Sequence, residues 1–138
     1  MCKYLLYFNS NNNIILSSLR PDLREVRIKH MVYGVPEGRT EVEIESKREN
    51  YLWRIYIEGD PEALQRVQKV VYKLHPSFSN RIIETDDWRN NFEYRIFGYG
   101  SFELEFFIYV KGISLPYSGT YYLDISRSND IGIPVRIP

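Results

Sequence analysis

The sequence predicts an all-β protein, an antiparallel β-sandwich with one short helical turn. Three observations carry this prediction: segments in which apolar and polar residues alternate, turn residues between them, and an aromatic content of 15% that includes 12 tyrosines. Alternation with a period of two is typical of strands with one buried face, and tyrosine favours strands. We count roughly seven to nine such strands. A chain of 138 residues suits one structural domain with a sizeable core.

The N-terminal segment, residues 1–39, is predicted to hold strands or an extension whose role the sequence does not define. Apolar runs at 3–8 and 14–19 flank an Asn-rich stretch at 9–13, which predicts a hairpin. The first apolar run is too short to span a membrane and makes a poor signal peptide. We therefore interpret it as a strand.

Alternation predicts further strands along the chain. Val42 and Ile44 alternate with glutamates, which predicts a half-buried strand with one solvent-exposed face. Other predicted strands have their inward residues at 26–32, 51–57, 70–74, 92–96 and 102–110. A last strand is predicted near 120–125, and residues 127–138 form a tail that either hangs free or adds an edge strand.

One helix start and one tryptophan refine the fold class. Asp60 suits a helix cap and Pro61 suits the first helical position, so a short helical turn is predicted at 61–66. Trp53 lies in an early central strand, where immunoglobulin-like sandwiches carry a buried tryptophan. The predicted fold is therefore an immunoglobulin-like antiparallel β-sandwich whose main unit spans 40–126.

Composition excludes several function classes. The 18 Lys and Arg balance the 18 Asp and Glu, so general attraction to nucleic acid or to an anionic membrane is not indicated. Cys2 is the only cysteine, which rules out an intrachain disulfide and favours a reducing compartment, the cytoplasm. With two widely spaced histidines and no phosphate-binding glycine loop, we expect no metal and no cofactor.

Two turns carry the candidate binding chemistry. The candidate site residues are His75, Ser77, Phe78, Gly98, Tyr99 and Gly100. Glycines let a backbone approach a ligand closely, and the Ser77 hydroxyl offers one oriented hydrogen bond. The rings of Phe78 and Tyr99 are suited to hold a planar amide or acyl group between them. The alternative is a hydrophobic cap that closes one end of the sandwich.

His75 and Ser77 also permit a catalytic hypothesis. Side chains two residues apart point the same way in an extended chain, and Asp86 or Asp87 offers a third member. However, Pro76 between them indicates a turn, where serine usually bonds to local backbone. No strained nucleophile turn accompanies them, so we predict that the protein is not an enzyme and keep a small hydrolase as an alternative.

The stretch from 51 to 111 contains Leu-His-x-Ser-Phe followed by Gly-aromatic-Gly-x-Phe, within characteristic pieces at 53–57, 67–78 and 98–102. In the order and spacing of these pieces it resembles the YEATS domain, in its prokaryotic type. The acidic segment at 58–62 is similar to the prokaryotic branch. The resemblance implies an immunoglobulin-like sandwich and a non-catalytic reader. Eukaryotic members bind acylated lysines, especially acetyl- and crotonyl-lysine, on histone tails.

The resemblance also implies a role for each site residue. Phe78 and Tyr99 would hold the acyl amide between their rings, and Ser77 would hydrogen-bond to it. His75 would support Ser77, and the backbone around Tyr99 and Gly100 would donate to the acyl carbonyl. The chain departs from the family where 79–82 lacks the usual proline and where Tyr99 replaces a frequent tryptophan. A third aromatic residue is not assigned, with Tyr51 as the nearest candidate.

Two functional hypotheses follow. The first is a reader or sensor that binds an acylated lysine-bearing peptide or protein, or a similar small planar ligand. The alternative is a protein-interaction adaptor in a bacterial signalling or defence system, with an effector protein as partner and no acyl-lysine binding. Neither hypothesis includes a nucleic-acid or membrane partner.

Overall fold

The computed structural model describes residues 23–138. The predicted hairpin at 3–8 and 14–19, together with Cys2, lies outside the described residues. The elements in chain order are β1 (Arg24–Tyr33), α1 (Glu41–Lys47), β2 (Tyr51–Glu58), α2 (Pro61–Arg66), β3 (Val67–Lys73), β4 (Ile82–Thr85), a 3-10 turn (Trp88–Asn90), β5 (Tyr94–Gly98), β6 (Phe102–Val110), β7 (Tyr117–Leu123) and β8 (Asn129–Ile137). Neither α1 nor α2 is long and apolar enough to cross a membrane, and the described chain holds no other candidate span.

The eight strands form two four-stranded antiparallel sheets. One sheet has the order β5-β2-β1-β8 and the other has the order β4-β3-β6-β7. The predicted immunoglobulin-like β-sandwich is confirmed. The tail supplies β8, which pairs with β1 at the edge of the first sheet.

Strand alternation places the core between the sheets. In β6 the alternate residues from Phe102 to Val110 are buried, whereas Glu103 and Glu105 are exposed. Trp53 in β2 has no exposed surface, as its position in an early central strand predicted. This segregation of apolar and charged side chains removes apolar area from water on one face of each sheet.

The short helix α2 forms as predicted. The Asp60 side chain accepts a hydrogen bond from the Ala63 N–H at 2.8 Å, and Pro61 occupies the first turn. Ala63 and Leu64 are the buried residues of this helix. The helix ends at Arg66 because the next residues pair into β3.

The strand predicted around Val42 and Ile44 is wrong, since these residues lie in helix α1. Thr40 and Glu43 form a capping box, in which each side chain accepts a hydrogen bond from the backbone N–H of the other residue. Ile44 is fully buried, whereas Val42 is 74% exposed. Two apolar residues are too few to separate a period of 2 from one of 3.6, so the cap decides the local structure.

Two strand boundaries also differ from the predictions. The strand expected around 92–96 begins at Tyr94, because Asn91 and Phe92 have positive φ angles of 57° and 51° and form a turn. The strand expected near 120–125 runs from Tyr117 to Leu123. A turn with two left-handed residues is incompatible with a β ladder, which explains the late start of β5.

His30 joins the two sheets through a buried polar network. Its side chain is 1% exposed, and Nε2 lies 2.9 Å and 3.0 Å from the carbonyl oxygens of Asp124 and Arg127. Since carbonyls only accept, Nε2 carries the hydrogen, and Nδ1 accepts from the Tyr121 hydroxyl at 2.7 Å. Every polar atom of the neutral ring is therefore satisfied.

This network predicts a loss of stability in mild acid. Burial lowers the pKa of His30 below its ordinary value of 6.5, against the opposing effects of the two carbonyl bonds and the Asp124 charge. Below pH 6.5 the unfolded chain takes up a proton that the folded chain resists, so the free energy of unfolding falls as pH falls. Urea unfolding at several pH values between about 7.5 and 5.5 measures this slope.

His75→Gln is the matched control, because His75 is exposed and is the other histidine of the chain. We expect this variant to keep the acid slope and His30→Gln to reduce it. Equal slopes in the two variants would contradict the assignment to His30.

Candidate ligand-binding site

An open cavity of about 370 Å³ lies at one end of the sandwich, between the turn after β3 and the turn joining β5 to β6. All six residues singled out from the sequence line it: His75, Ser77, Phe78, Gly98, Tyr99 and Gly100. The other lining residues are Asn50, Phe97, Ser101 and Phe102. The fold thus brings together two turns that lie about twenty residues apart in the chain.

The first turn is closed by its own backbone. The Phe78 N–H donates to the His75 carbonyl at 3.0 Å, and Pro76 presets the turn conformation. The Ser77 N–H donates to His75 Nδ1 at 3.1 Å, which shows that Nδ1 is the unprotonated ring nitrogen. The Ser77 hydroxyl, 2.8 Å from the same atom, therefore donates its proton to Nδ1. The lone pairs of Ser77 Oγ are left to accept a hydrogen bond from a ligand.

The same geometry bears on the hydrolase alternative. His75 Nδ1 accepts a hydrogen bond from the Ser77 hydroxyl and another from the Ser77 backbone N–H. This pattern is typical of a local turn. No carboxylate among residues 23–138 hydrogen-bonds to the opposite ring nitrogen. Asp87, one of the predicted third members, instead accepts from the Arg89 N–H at the 3-10 turn. Among the described residues, the pair thus has no third group of the kind that orients the base in a catalytic triad.

Phe78 is held in place by aromatic contacts beneath the cavity. Its ring centroid lies 5.5 Å from that of Phe102 and 6.5 Å from that of Trp53. Trp53 and Phe102 also meet edge to face, with centroids 6.1 Å apart. These tilted and edge contacts are the favourable arrangements for aromatic rings. The Phe78 ring of the cavity therefore packs against the core.

The end of β5 and the turn that joins it to β6 carry the more exposed rings. Tyr99 is 40% exposed and Phe97 is 66% exposed. A Cβ on Gly98 would lie 3.2 Å from Trp53 Nε1, so glycine lets the backbone pass close over the buried indole. Tyr99 thus stands on a backbone segment that rests directly on the core.

The turn from Gly98 to Phe102 is anchored at Ser101. The Ser101 N–H donates to Glu45 Oε2 at 3.0 Å, and Ser101 Oγ accepts from the Ile125 N–H at 2.9 Å. Within residues 23–138, the N–H groups of Tyr99 and Gly100 donate to no protein acceptor. The turn therefore presents two backbone donors beside the cavity.

Apart from Ser101 and Phe102, which belong to the Gly-aromatic-Gly-x-Phe motif, sequence reasoning missed three contributors: Asn50, Phe97 and Glu45. Asn50 directly precedes Tyr51, which pairs with Gly98 across β2 and β5, so its place depends on the strand register. Phe97 was detectable, since it adjoins the glycine turn. Glu45 was assigned to a strand, which concealed its reach to Ser101. Tyr51 packs against the core with its hydroxyl donating to Glu49, and the further rings that line the cavity are Phe97 and Phe102.

The cavity lining is uncharged, and its one histidine, His75, accepts hydrogen bonds at Nδ1. Its ten lining residues, taken from the described range 23–138, include no Lys, Arg, Asp or Glu. In the same part of the chain, no three side chains of the kinds that ligate metals converge. The chemistry available is therefore aromatic contact, one hydroxyl acceptor and backbone donors.

This fold and cavity define a small immunoglobulin-like β-sandwich domain with an aromatic-walled site at its loop end. The family model described as prokaryotic YEATS domain matches residues 51–118. The resemblance seen in the sequence is confirmed over these residues, which match the prokaryotic type of the YEATS domain. A search of curated proteins finds no match to this chain.

Solved structures support the same fold. The Yaf9 YEATS domain recognising an H3K122suc peptide superimposes with a TM-score of 0.61 at 18% identity, over 83% of this chain and 82% of that chain. The Yaf9 YEATS domain bound to H3K27ac gives 0.61 at 19% identity with the same coverage. The yeast AF-9 homologue Yaf9 gives 0.61 at 18% identity, over 83% and 76% of the two chains. At these identities the likeness establishes the fold alone.

Proposed function

We propose that this domain is a non-catalytic reader that binds an acylated lysine in the cavity between Phe78 and Tyr99. The observation that carries the proposal is the convergence of the two turns on one open, uncharged cavity. A packed hydrophobic cap, the alternative from the sequence, would have closed this space. Tyr99, at 40% exposure, is instead accessible to a ligand.

The polar groups of the cavity complement a secondary amide. The amide N–H and C=O of a trans amide point in opposite directions. Ser77 Oγ supplies the acceptor, because its own hydroxyl hydrogen is already donated to His75 Nδ1 in a hydrogen bond. The N–H groups of Tyr99 and Gly100 supply donors on the facing turn. Buried polar groups of a ligand need such partners, because an unpaired one costs about 1–3 kcal/mol.

The proposed partner is a peptide or protein that carries the acylated lysine. The structurally similar Yaf9 YEATS domain is described with H3K122suc and H3K27ac peptides, which supports a peptide as the kind of partner. For this chain we propose only the acyl-lysine group as the ligand. We do not propose which peptide or protein carries it. We further propose that the protein works in the cytoplasm, which its single cysteine supports.

Calorimetric titration with otherwise identical peptides tests the proposal. We expect acetyl-lysine and crotonyl-lysine peptides to bind, and the unmodified peptide to give no measurable heat. The charged ammonium of unmodified lysine offers no carbonyl for the backbone donors and would lose its hydration in the cavity. Equal and negligible heats for all three peptides would contradict a reader. If an effector protein encoded by a neighbouring gene then co-purified with this protein, the result would favour the adaptor hypothesis.

A further inference from the structure

One carboxylate lies beside the cavity without lining it. Glu45 Oε2 accepts the Ser101 N–H at 3.0 Å and lies 3.8 Å from the place that a Cβ on Gly100 would take. Gly100 and Ser101 both line the cavity. The Glu45 side chain therefore sits directly behind the turn that carries the proposed backbone donors.

Helix α1 holds this carboxylate in position. Its N-terminus is stabilised by the capping box of Thr40 and Glu43, and Ile44 anchors it in the core with no exposed surface. The Tyr122 hydroxyl on β7 donates to Glu41 at 2.6 Å. Residues 41–47 lie outside the segment 51–118 that matches the YEATS family model. This carboxylate is thus supplied by a part of the chain that the family match does not cover.

Glu45 has no ion-pair partner within the described part of the chain. The cavity lining contributes no cation either. The hydrogen bond from Ser101 satisfies one oxygen but leaves the full negative charge in place.

We propose that Glu45 makes this cavity select uncharged acyl groups and exclude acyl groups that end in a carboxylate. The inference rests on the proposed acyl-lysine reader. Acetyl, butyryl and crotonyl groups bring no charge into the cavity. A succinyl or malonyl group brings a second negative charge into the cavity whose Gly100–Ser101 wall Glu45 contacts, and like charges repel.

The fold by itself does not impose this selection. The Yaf9 domain, which shares the fold, recognises an H3K122suc peptide. The exclusion in this chain arises from the side chain of Glu45 on α1. Removing that charge while keeping its hydrogen bond is therefore the informative change.

The test compares butyryl-lysine and succinyl-lysine peptides, whose acyl chains have the same number of carbons. We expect the full chain to bind the butyryl peptide about tenfold more tightly than the succinyl peptide at low salt. Glu45→Gln keeps an oxygen for the Ser101 N–H and removes the charge. We expect this variant to bring the two affinities within about twofold of each other.

Glu62→Gln is the matched control. It also removes one negative charge, but Glu62 lies on α2 at the start of β3, the opposite end of that strand from His75. We expect this variant to keep the wild-type ratio. In the unmodified chain, added salt should reduce the discrimination because it screens the charge, which provides a test that needs no variant.

The outcomes distinguish a failure of the proposed Glu45 role from a failure of the proposed reader function. If wild type binds both peptides equally, or if Glu45→Gln keeps the wild-type ratio, the role of Glu45 is overturned while the reader stands. If no acylated peptide binds, the reader is overturned and the inference falls with it.

Discussion

Replacing Tyr99 by alanine is expected to weaken the binding of an acetyl- or crotonyl-lysine peptide by about 30-fold or more. The loss follows from the position of the ring, which lines the cavity together with Phe78 and stands on an anchored turn. Removing it opens one wall and leaves the amide plane in contact with water on that side. Because the ring is 40% exposed, its loss should leave the melting temperature within about 4 °C of wild type.

Tyr33→Ala is the matched control for this prediction. Tyr33 is 36% exposed and does not line the cavity, so this variant should bind the peptides as wild type does. Isothermal titration measures both affinities, and thermal melts followed by circular dichroism measure both stabilities. A collapse of folding in Tyr99→Ala would favour a hydrophobic cap at this end of the sandwich over a ligand site.

Gly132→Ala is expected to produce the largest loss of stability, about 3 kcal/mol or more. Gly132 has a φ of 73°, and a Cβ there would lie 2.4 Å from the Ile28 carbonyl oxygen. That contact is with backbone, so a side-chain rotation cannot relieve it. The site coincides with the shift in register between β1 and β8 at Ile28 and His30. An alanine would therefore displace the edge strand from its neighbour.

Gly38→Ala separates the two causes of this cost. Gly38 has a similar φ of 82°, but a Cβ there meets nothing within 4 Å. It should therefore show only the strain of a left-handed residue, about 1 kcal/mol. Urea unfolding at neutral pH measures both variants. Equal losses in the two would contradict the contact seen at Ile28.

The parts of the fold that depend on local pattern were predictable from the sequence. Strand β6 alternates over nine residues, so its inward face was assigned correctly. The start of helix α2 was predictable from the capping residue Asp60 and from Pro61 in the first turn. The six candidate site residues fall in two short turns whose sequence motifs are themselves local, and the structure places all six at one cavity.

The parts that depend on contacts distant in sequence were not predictable. Helix α1 has one buried residue, Ile44, and its apolar pattern alone is too short to distinguish a helix from a strand. Glu45 reaches Ser101 across 56 residues, which only the packed fold reveals. Asn50 enters the cavity because the register pairs Tyr51 with Gly98. These residues carry no motif, so only the tertiary structure assigns them a place.

Binding of the acyl amide between Phe78 and Tyr99 is tested most directly by nuclear magnetic resonance. Nitrogen-15-labelled protein would be titrated with a crotonyl-lysine peptide while every backbone amide is followed. The largest shifts are expected at Ser77, Phe78, Tyr99 and Gly100, with the N–H of Tyr99 or Gly100 moving downfield as it donates to the acyl carbonyl. Shifts confined to other surfaces, or no shifts at saturating peptide, would contradict a ligand site in this cavity.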